Sequence, residues 1–433
     1  MLLLVGIEII TLEVYMQSSV LSSNQPHHSK ATKLFSLYSV IFLFFYLGDS
    51  IMSYFAPIFV EHYLRDPLLL GLVISSSSMI GFFVDIFLSD RFPKKDYYFF
   101  LLIGVILAIA FPLVLLLPAN LTIMILSMAV WGIYFEFLSF SNFRAIHDIL
   151  PKEKRDFAWG LSSSLNSFAI LLGPFIAGIL FAIHFRAPLG GALIMFSIAL
   201  AGTIFFFPFH RQRKSYAQES NINLWKELKI WQLLNSRLWP YLMYTLITFT
   251  VSSVFWTIGP VLAEHLSKSH YLGGMLLVAY LLPYLLFGIF SDKIAHVFGR
   301  DRSIFASGIV AGICLVIVGV TPSIMSLLVL VFLVGSFLAI STPMVNATFE
   351  NYISRLGNSA NSLIGLRNSI TSVSYIVGPL FSGLIAKFVG YQLTFSIFGL
   401  TLALYCIFTY VLLPKRIVLP QHEIKTIEKN EEA

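Results

Sequence analysis

Apolar runs of about twenty residues recur along nearly the whole chain, and that pattern leaves few folds open. A helix needs about twenty apolar residues to cross a hydrocarbon core of roughly 30 Å. Twelve such runs can be read, at 34–60, 68–89, 97–117, 121–143, 159–183, 189–208, 238–263, 271–291, 303–320, 324–345, 363–387 and 391–413. Only 12% of the 433 residues are charged and 57% are apolar. A soluble domain is roughly a quarter charged, and one soluble core could not hold this much apolar area. The expected fold class is an all-α polytopic membrane protein with twelve transmembrane helices. Cys314 and Cys406, the two cysteines, both lie inside apolar runs and imply neither a disulfide framework nor a metal site.

The connections alternate in charge. Those after even-numbered spans carry DRFPKKD, PKEKRD, HRQRK with KELK, DK…GRDR and SRLGNS, whereas those after odd-numbered spans include PAN and TPS. Only Arg65, Arg186, Lys268 and Lys387, four of 28 Lys and Arg, fall on the sparse side. The positive-inside rule therefore places both termini in the cytoplasm of a multi-pass protein of the cell membrane. The net charge of +6 follows from these loops and does not point to nucleic acid. The first sixteen residues are apolar but short, carry Glu8 and Glu13, and lack a basic start and a small-residue cleavage site. They read as an interfacial helix or as an extension upstream of a start at Met16, rather than as a secretory signal or a span.

The chain divides into an N-terminal cytoplasmic segment (1–33), a six-helix bundle (34–208), a central cytoplasmic loop (209–237), a second six-helix bundle (238–413) and a cytoplasmic tail (414–433). In the central loop, Asn223 can cap a helix with Leu224, Leu228, Trp231 and Leu234 on one face. The expectation is an amphipathic helix lying on the membrane surface.

The bundles are copies. Gly160 to Gly178 aligns without a gap on Gly365 to Gly383, with seven of nineteen positions identical, among them Gly173/Gly378, Pro174/Pro379 and Gly178/Gly383. Pro57-x-x-x-Glu61-His62 returns as Pro260-x-x-x-Glu264-His265, and Ser89-Asp90-Arg91 as Ser291-Asp292-Lys293. The offsets stay between 202 and 205, so six helices were copied in one orientation. Parallel repeats of this kind are related by an axis along the membrane normal.

Four features together resemble the major facilitator superfamily over about residues 33–415. The loop from Asp90 to Lys95 is similar to the family signature G-x-x-x-D-R/K-x-G-R/K-R/K, with Ile86 and Pro93 in place of its glycines; the second copy keeps Gly288 ahead of Asp292 and Lys293. The stretch from Asp148 to Gly160 is similar to the family's link between spans four and five. Ala169-x-x-x-Gly173-Pro174-x-x-Ala177-Gly178 resembles the fifth-span motif of proton-driven efflux members. The six-plus-six layout with a long central loop is the fourth feature. An arginine deep in span four, found in many such members, has no counterpart: the nearest is Arg144, at the span's cytoplasmic end.

The resemblance implies alternating access around a cavity lined by spans one, four, seven and ten. Asp49 sits about fifteen residues into span one, roughly 22 Å along the helix and near mid-membrane. An ionised carboxylate there is costly, so it should face a wet cavity, be paired or take up a proton. Glu136 is the matching group in span four; the two are expected to face one another across the N-half of the pathway, and one or both to carry the coupling proton. Trp256, Tyr134 and Asn346 are candidate contacts on the cavity helices. Arg367 either snorkels to the cytoplasm or binds an anionic cargo. Asp85, Asp90, Arg91, Gly288, Asp292 and Lys293 are expected to form a cytoplasmic gate, in which Asp90 can accept from a helix N-terminus and Arg91 can pair with a carboxylate of the other half. His62 and His265 read as interfacial. Gly173, Pro174, Gly178, Gly378, Pro379 and Gly383 read as a pivot between halves, with plain small-residue packing as the alternative.

No nucleophile arrangement, metal spacing or phosphate-cradling loop occurs, so neither an enzyme nor a cofactor is expected. The reading is a monomeric secondary transporter in the lipid bilayer that moves a small molecule and protons. Export of amphipathic or cationic compounds leads. Proton-coupled uptake of sugars, organic acids or peptides is the first rival, and a transport-inactive sensor or scaffold the second.

Overall fold

A computed structural model describes residues 26–91, 95–206, 224–266, 270–412, 419–421 and 423–424. Its α-helices are α1 (Pro26–Leu64), α2 (Pro67–Arg91), α3 (Tyr97–Leu115), α4 (Leu121–Ile149), α5 (Arg155–Ile183), α6 (Ala187–Phe206), α7 (Leu224–Thr257), α8 (Gly259–Leu266), α9 (His270–Phe287), α10 (Ser291–Phe298), α11 (Arg300–Val318), α12 (Ile324–Leu356) and α13 (Ala360–Leu412). Eleven stretches of the described residues are long and apolar enough to cross a membrane. The last of them, α13, leaves helical geometry at Gly390, where φ is 84° and ψ 162°. Glycine adopts that conformation without the steric cost a side chain would bring. The two limbs of α13 are spans eleven and twelve, so the twelve passes read from the sequence are all present. Spans one to six are α1 to α6, span seven is α7, span eight α9, span nine α11 and span ten α12.

Local chemistry sets several helix starts. Asp96 accepts from the Phe99 N–H at 3.0 Å and opens α3, and Asn120 accepts from the Ile123 N–H at 2.9 Å and opens α4. Both satisfy an amide that the first turn leaves without a helical partner. Helix α1 starts at Pro26, eight residues before the expected edge of the span, and proline suits a helix's first turn.

The central amphipathic helix is a larger departure. It is not a separate surface helix, because Leu224–Thr257 runs as one helix through Pro240. Ile230 and Leu234 are buried in the protein, while Leu228 is half exposed. Trp231 lies against Gly365 at the start of span eleven, where there is room for its indole because glycine carries no side chain. Trp231 and Leu234 of the apolar stripe therefore meet protein. Residues 1–25 and most of the tail lie outside the described residues.

Each half packs its own helices: span one against five and six, three against four, and seven and nine against α13. Large apolar side chains such as Ile183, Ile204 and Val411 stay exposed on the outer surface, as expected of helices that face lipid. Two symmetry-related contacts join the halves, span two with span eleven and span five with span eight. Both are tightest away from the basic connections. At Gly71 a methyl group would collide with the Pro379 carbonyl and at Gly274 with the Pro174 carbonyl, so the backbones touch there. The halves thus close at the face that carries the turn between Leu64 and Pro67. Toward the basic face they part, and Phe82, Phe290, Asp292 and Lys293 are exposed.

Candidate functional site

A cavity of about 520 Å³ lies between the halves and reaches from mid-membrane toward the basic face. Its first wall is built on spans one, two and four. Trp131 and Tyr134, three residues apart on α4, share a helix face. Both donate to one oxygen of Asp49 on α1, Tyr134 from its hydroxyl at 2.7 Å and Trp131 from its indole N–H at 3.0 Å to Oδ1. These bonds offset part of the cost of holding a carboxylate away from bulk water. Tyr134 is fully buried and serves Asp49 from behind, whereas Trp131 and Asp49 themselves line the cavity.

Glu136 follows on the same helix and also lines the cavity. Its position depends on how spans two and four cross. Gly132 lies so close to the Ser77 carbonyl that any side chain there would collide with it. One turn along α2, a methyl on Gly81 would lie 3.3 Å from Glu136 Oε1. Glycine–serine contact thus brings α2 and α4 together and sets the Glu136 carboxylate against α2. Asp85 lies one turn beyond Gly81 and lines the same cavity. The sequence groups it with the gate at the basic face; the structure puts it on the lining of the cavity as well, since four residues of helix turn it onto the face that Gly81 presents.

The second wall is different in kind. Trp256 on α7 lines the cavity as expected, beside Thr257, Thr371, Ser372 and Tyr375. None of the described residues lining the cavity is Lys, Arg or His. The site therefore has three carboxylates on one side, hydroxyls and aromatic rings on the other, and no basic group among the described residues of its walls. It can hold protons or a cation, and the rings supply flat apolar contact.

Asn346 and Arg367 meet each other rather than the cavity. Arg367 donates from Nη2 to Asn346 Oδ1 at 2.5 Å, and its guanidinium lies 5.2 Å from the centre of the Phe349 ring. The expected gate is only partly described. Gly288 opens a short 3-10 turn, and Asp292 and Lys293 are exposed, with His296 at 3.5 Å from Asp292. The side chains of Asp90 and Arg91 lie outside the described residues. Three of the four glycines read as a pivot are close-contact points within helical turns: Gly173 against Ser50, Gly378 against Ser253, and Gly383 against Pro67 and Gly71.

Sequence reasoning missed a polar cluster that joins the halves at the closed face. Tyr54 donates to Glu264 Oε1 at 2.7 Å, His265 Nε2 lies 3.8 Å from Glu61 Oε1, and Lys387 Nζ lies 3.0 Å from Asp66 Oδ2. The repeated Pro-x-x-x-Glu-His pattern carried the signal, but it marked symmetry without showing that the copies face each other.

The fold and site can be set beside known proteins. The solved nucleoside transporter NupG covers 88% of this chain and 99% of its own, with a TM-score of 0.70 at 12% identity. A D-xylose-proton symporter covers 89% and 98%, with a TM-score of 0.66 at 13% identity. Likeness at this identity concerns the fold alone. Among curated sequences, the quinolone resistance protein NorA of Staphylococcus aureus is 26% identical over 161 residues. That alignment covers 35% of this chain and 38% of NorA, so the chain matches well under two thirds of that relative's length. The sequence profile of one family matches residues 37–255 and 241–432, which takes in both bundles. With two copied bundles, twelve passes and a central cavity already in view, that match makes the chain a member of the Major Facilitator Superfamily of membrane transporters.

Proposed function

We propose that this transporter exports small amphipathic cations in exchange for protons, by alternating access. The observation that carries the reading is the cavity wall: Asp49, Asp85 and Glu136 face aromatic and hydroxyl side chains, and none of the described lining residues is basic. An anionic cargo would meet repulsion there, and a cation would find attraction and flat apolar surfaces. Exchange then follows from competition. A carboxylate that holds a proton has lost the charge that holds the cation. Protons entering from outside would release the cargo, and loss of the protons toward the cytoplasm would restore the site. Asp49 and Glu136 take these roles, with Tyr134 and Trp131 fixing the Asp49 carboxylate in place.

The positive-inside rule supports an orientation in which the basic face is cytoplasmic. The cavity would then open to the cytoplasm, where an exporter collects its cargo. The partial likeness to NorA, a quinolone resistance protein, points the same way. The hydroxyl-rich wall formed by Thr257, Thr371 and Ser372 favours a second reading, proton-coupled uptake of a hydroxylated solute.

Purified protein in proteoliposomes with an imposed pH gradient separates these. Tetraphenylphosphonium moving against the proton gradient is expected, with a loss of roughly tenfold or more in Asp49→Asn and in Glu136→Gln. Sugar-dependent proton uptake would establish the second reading instead. Unchanged cation flux in both single variants and the double variant would remove the carboxylates from the mechanism.

A further inference from the structure

We propose that the two copies of Pro-x-x-x-Glu-His form the gate that closes the cavity at the face opposite the basic connections, with Glu264 as its positioning residue. The proposal rests on the transport reading only in requiring that the cavity open to each face in turn. It depends on neither cargo nor direction.

Each copy ends an inner helix. Pro57, Glu61 and His62 close α1, and Pro260, Glu264 and His265 close the α7–α8 segment. The same offset of 203 relates all three positions. A motif needed only to end a helix or anchor it at an interface would bond within its own half. Here Glu61, Glu264 and His265 reach across, while His62 packs within its own half. Tyr54, on the turn before Pro57, donates to Glu264 at 2.7 Å, and His265 approaches Glu61 at 3.8 Å. A third pair, Lys387 with Asp66 at 3.0 Å, ties span eleven to the start of span two.

The Tyr54–Glu264 bond sits over the cavity. Ser53, Pro57 and Thr257, which flank it on both chains of helix, line the cavity from below. Tyr54 is fully buried, and Gly273 of span eight lies against both its hydroxyl and the Glu264 carboxylate, leaving no room for a methyl group. Spans one, seven and eight therefore enclose one hydrogen bond between an acid and a phenol. Outside it, the His62 ring packs at a tilt against Phe185 with ring centres 4.4 Å apart, and the Tyr391 ring centre lies 5.6 Å from that of His265. To open this face the halves must separate Tyr54 from Glu264, so the bond contributes to the closed state and to nothing in the open one.

The test reads conformation rather than transport. Nitroxide labels at Arg65→Cys and Phe388→Cys, both exposed positions at this face, report its width by pulsed electron–electron distance measurement. The native Cys314 and Cys406 are buried and stay unlabelled. Tyr54→Phe and Glu264→Ala are each expected to lower the ratio of closed to open molecules about tenfold, the usual weight of one bond to a charged group. The double variant should shift it no further than the stronger single variant, because both remove the same bond. Glu264→Gln keeps an acceptor for Tyr54 and should recover most of the closed population. This also shows that the site tolerates substitution. Distance distributions unchanged from the parent in Tyr54→Phe and Glu264→Ala would overturn the proposal, even in a protein that transports. A parent that moves no cation yet shows the expected shifts would overturn the export reading and leave the gate standing.

Discussion

Tyr38 of span one meets Ser141 of span four at 3.0 Å, and Tyr244 of span seven donates to Ser341 of span ten at 2.7 Å. Near the basic face, both halves pin their first helix to their fourth with the same pair of residue types. Deeper in, they part. The offset that relates Pro57 to Pro260 carries Asp49 to Ser252. Asp49 takes two hydrogen bonds from span four, while Ser252 shares a single bond of 2.6 Å with Tyr280 of span eight. Behind that bond, Phe255 stacks on Tyr280 with ring centres 4.2 Å apart. Packing is doubled because each helix needs the same neighbours in either copy. Ionised groups are not, because each costs about 2.5–3.5 kcal/mol or more at mid-membrane and is kept only where it works. One half thus holds the cavity's charge, and the other shapes the wall against it.

The comparison can be broken most severely at Asp49. Asp49→Ser gives span one the residue that span seven carries. Proton-driven cation movement should then fall to background in proteoliposomes, since two bonds to a charged group worth about 1.5–3 kcal/mol each go with the carboxylate. The reverse exchange is next. Ser252→Asp should lower stability in detergent by about 2.5–3.5 kcal/mol, read from thermal melting, because Tyr280 already packs on Phe255 and offers only one hydroxyl. Added to Asp49→Ser, it should not restore coupling; recovery of flux would show that the halves are interchangeable after all.

A smaller effect belongs to the symmetric contacts. Gly71→Ala puts a methyl against the Pro379 carbonyl and should disfavour the closed face by about 1–3 kcal/mol, seen as a longer label distance across it. The smallest belongs to Asp66. Its hydrogen bond with the Lys387 ammonium holds its carboxyl below the usual range. The pair therefore favours closure above about pH 4 and loses that contribution as pH falls through the lowered value. Both side chains are largely solvated, so Asp66→Asn should cost less than about 1 kcal/mol, and less again at high salt.

Much of this was legible in the residues. Twelve apolar runs and near-constant offsets foretold the passes and their duplication, and two intramembrane acids, Asp49 and Glu136, stand in the lining of the cavity. The central amphipathic segment misled, since an apolar stripe on Leu224 to Leu234 looks the same whether lipid or protein covers it. Ile230 and Leu234 are covered by protein. Spacing from Asp90 groups Asp85 with the gate, but spacing alone does not show that its helix face also lines the cavity. Glu264 and His265 looked like the end of a helix, although the residues they meet are in the other copy.

What the sequence determined by itself was the number of passes, their relation by copying, and which helices carry acids. These are local properties: a span's length and period are set by the bilayer thickness and the helix's own geometry. The tertiary structure decided which polar groups share a space. That depends on how helices rotate and cross, and here Gly132 against Ser77 and Gly71 against Pro379 set the crossings. Periodicity tells which residues share one face of a helix, but only packing against its neighbours decides what that face meets.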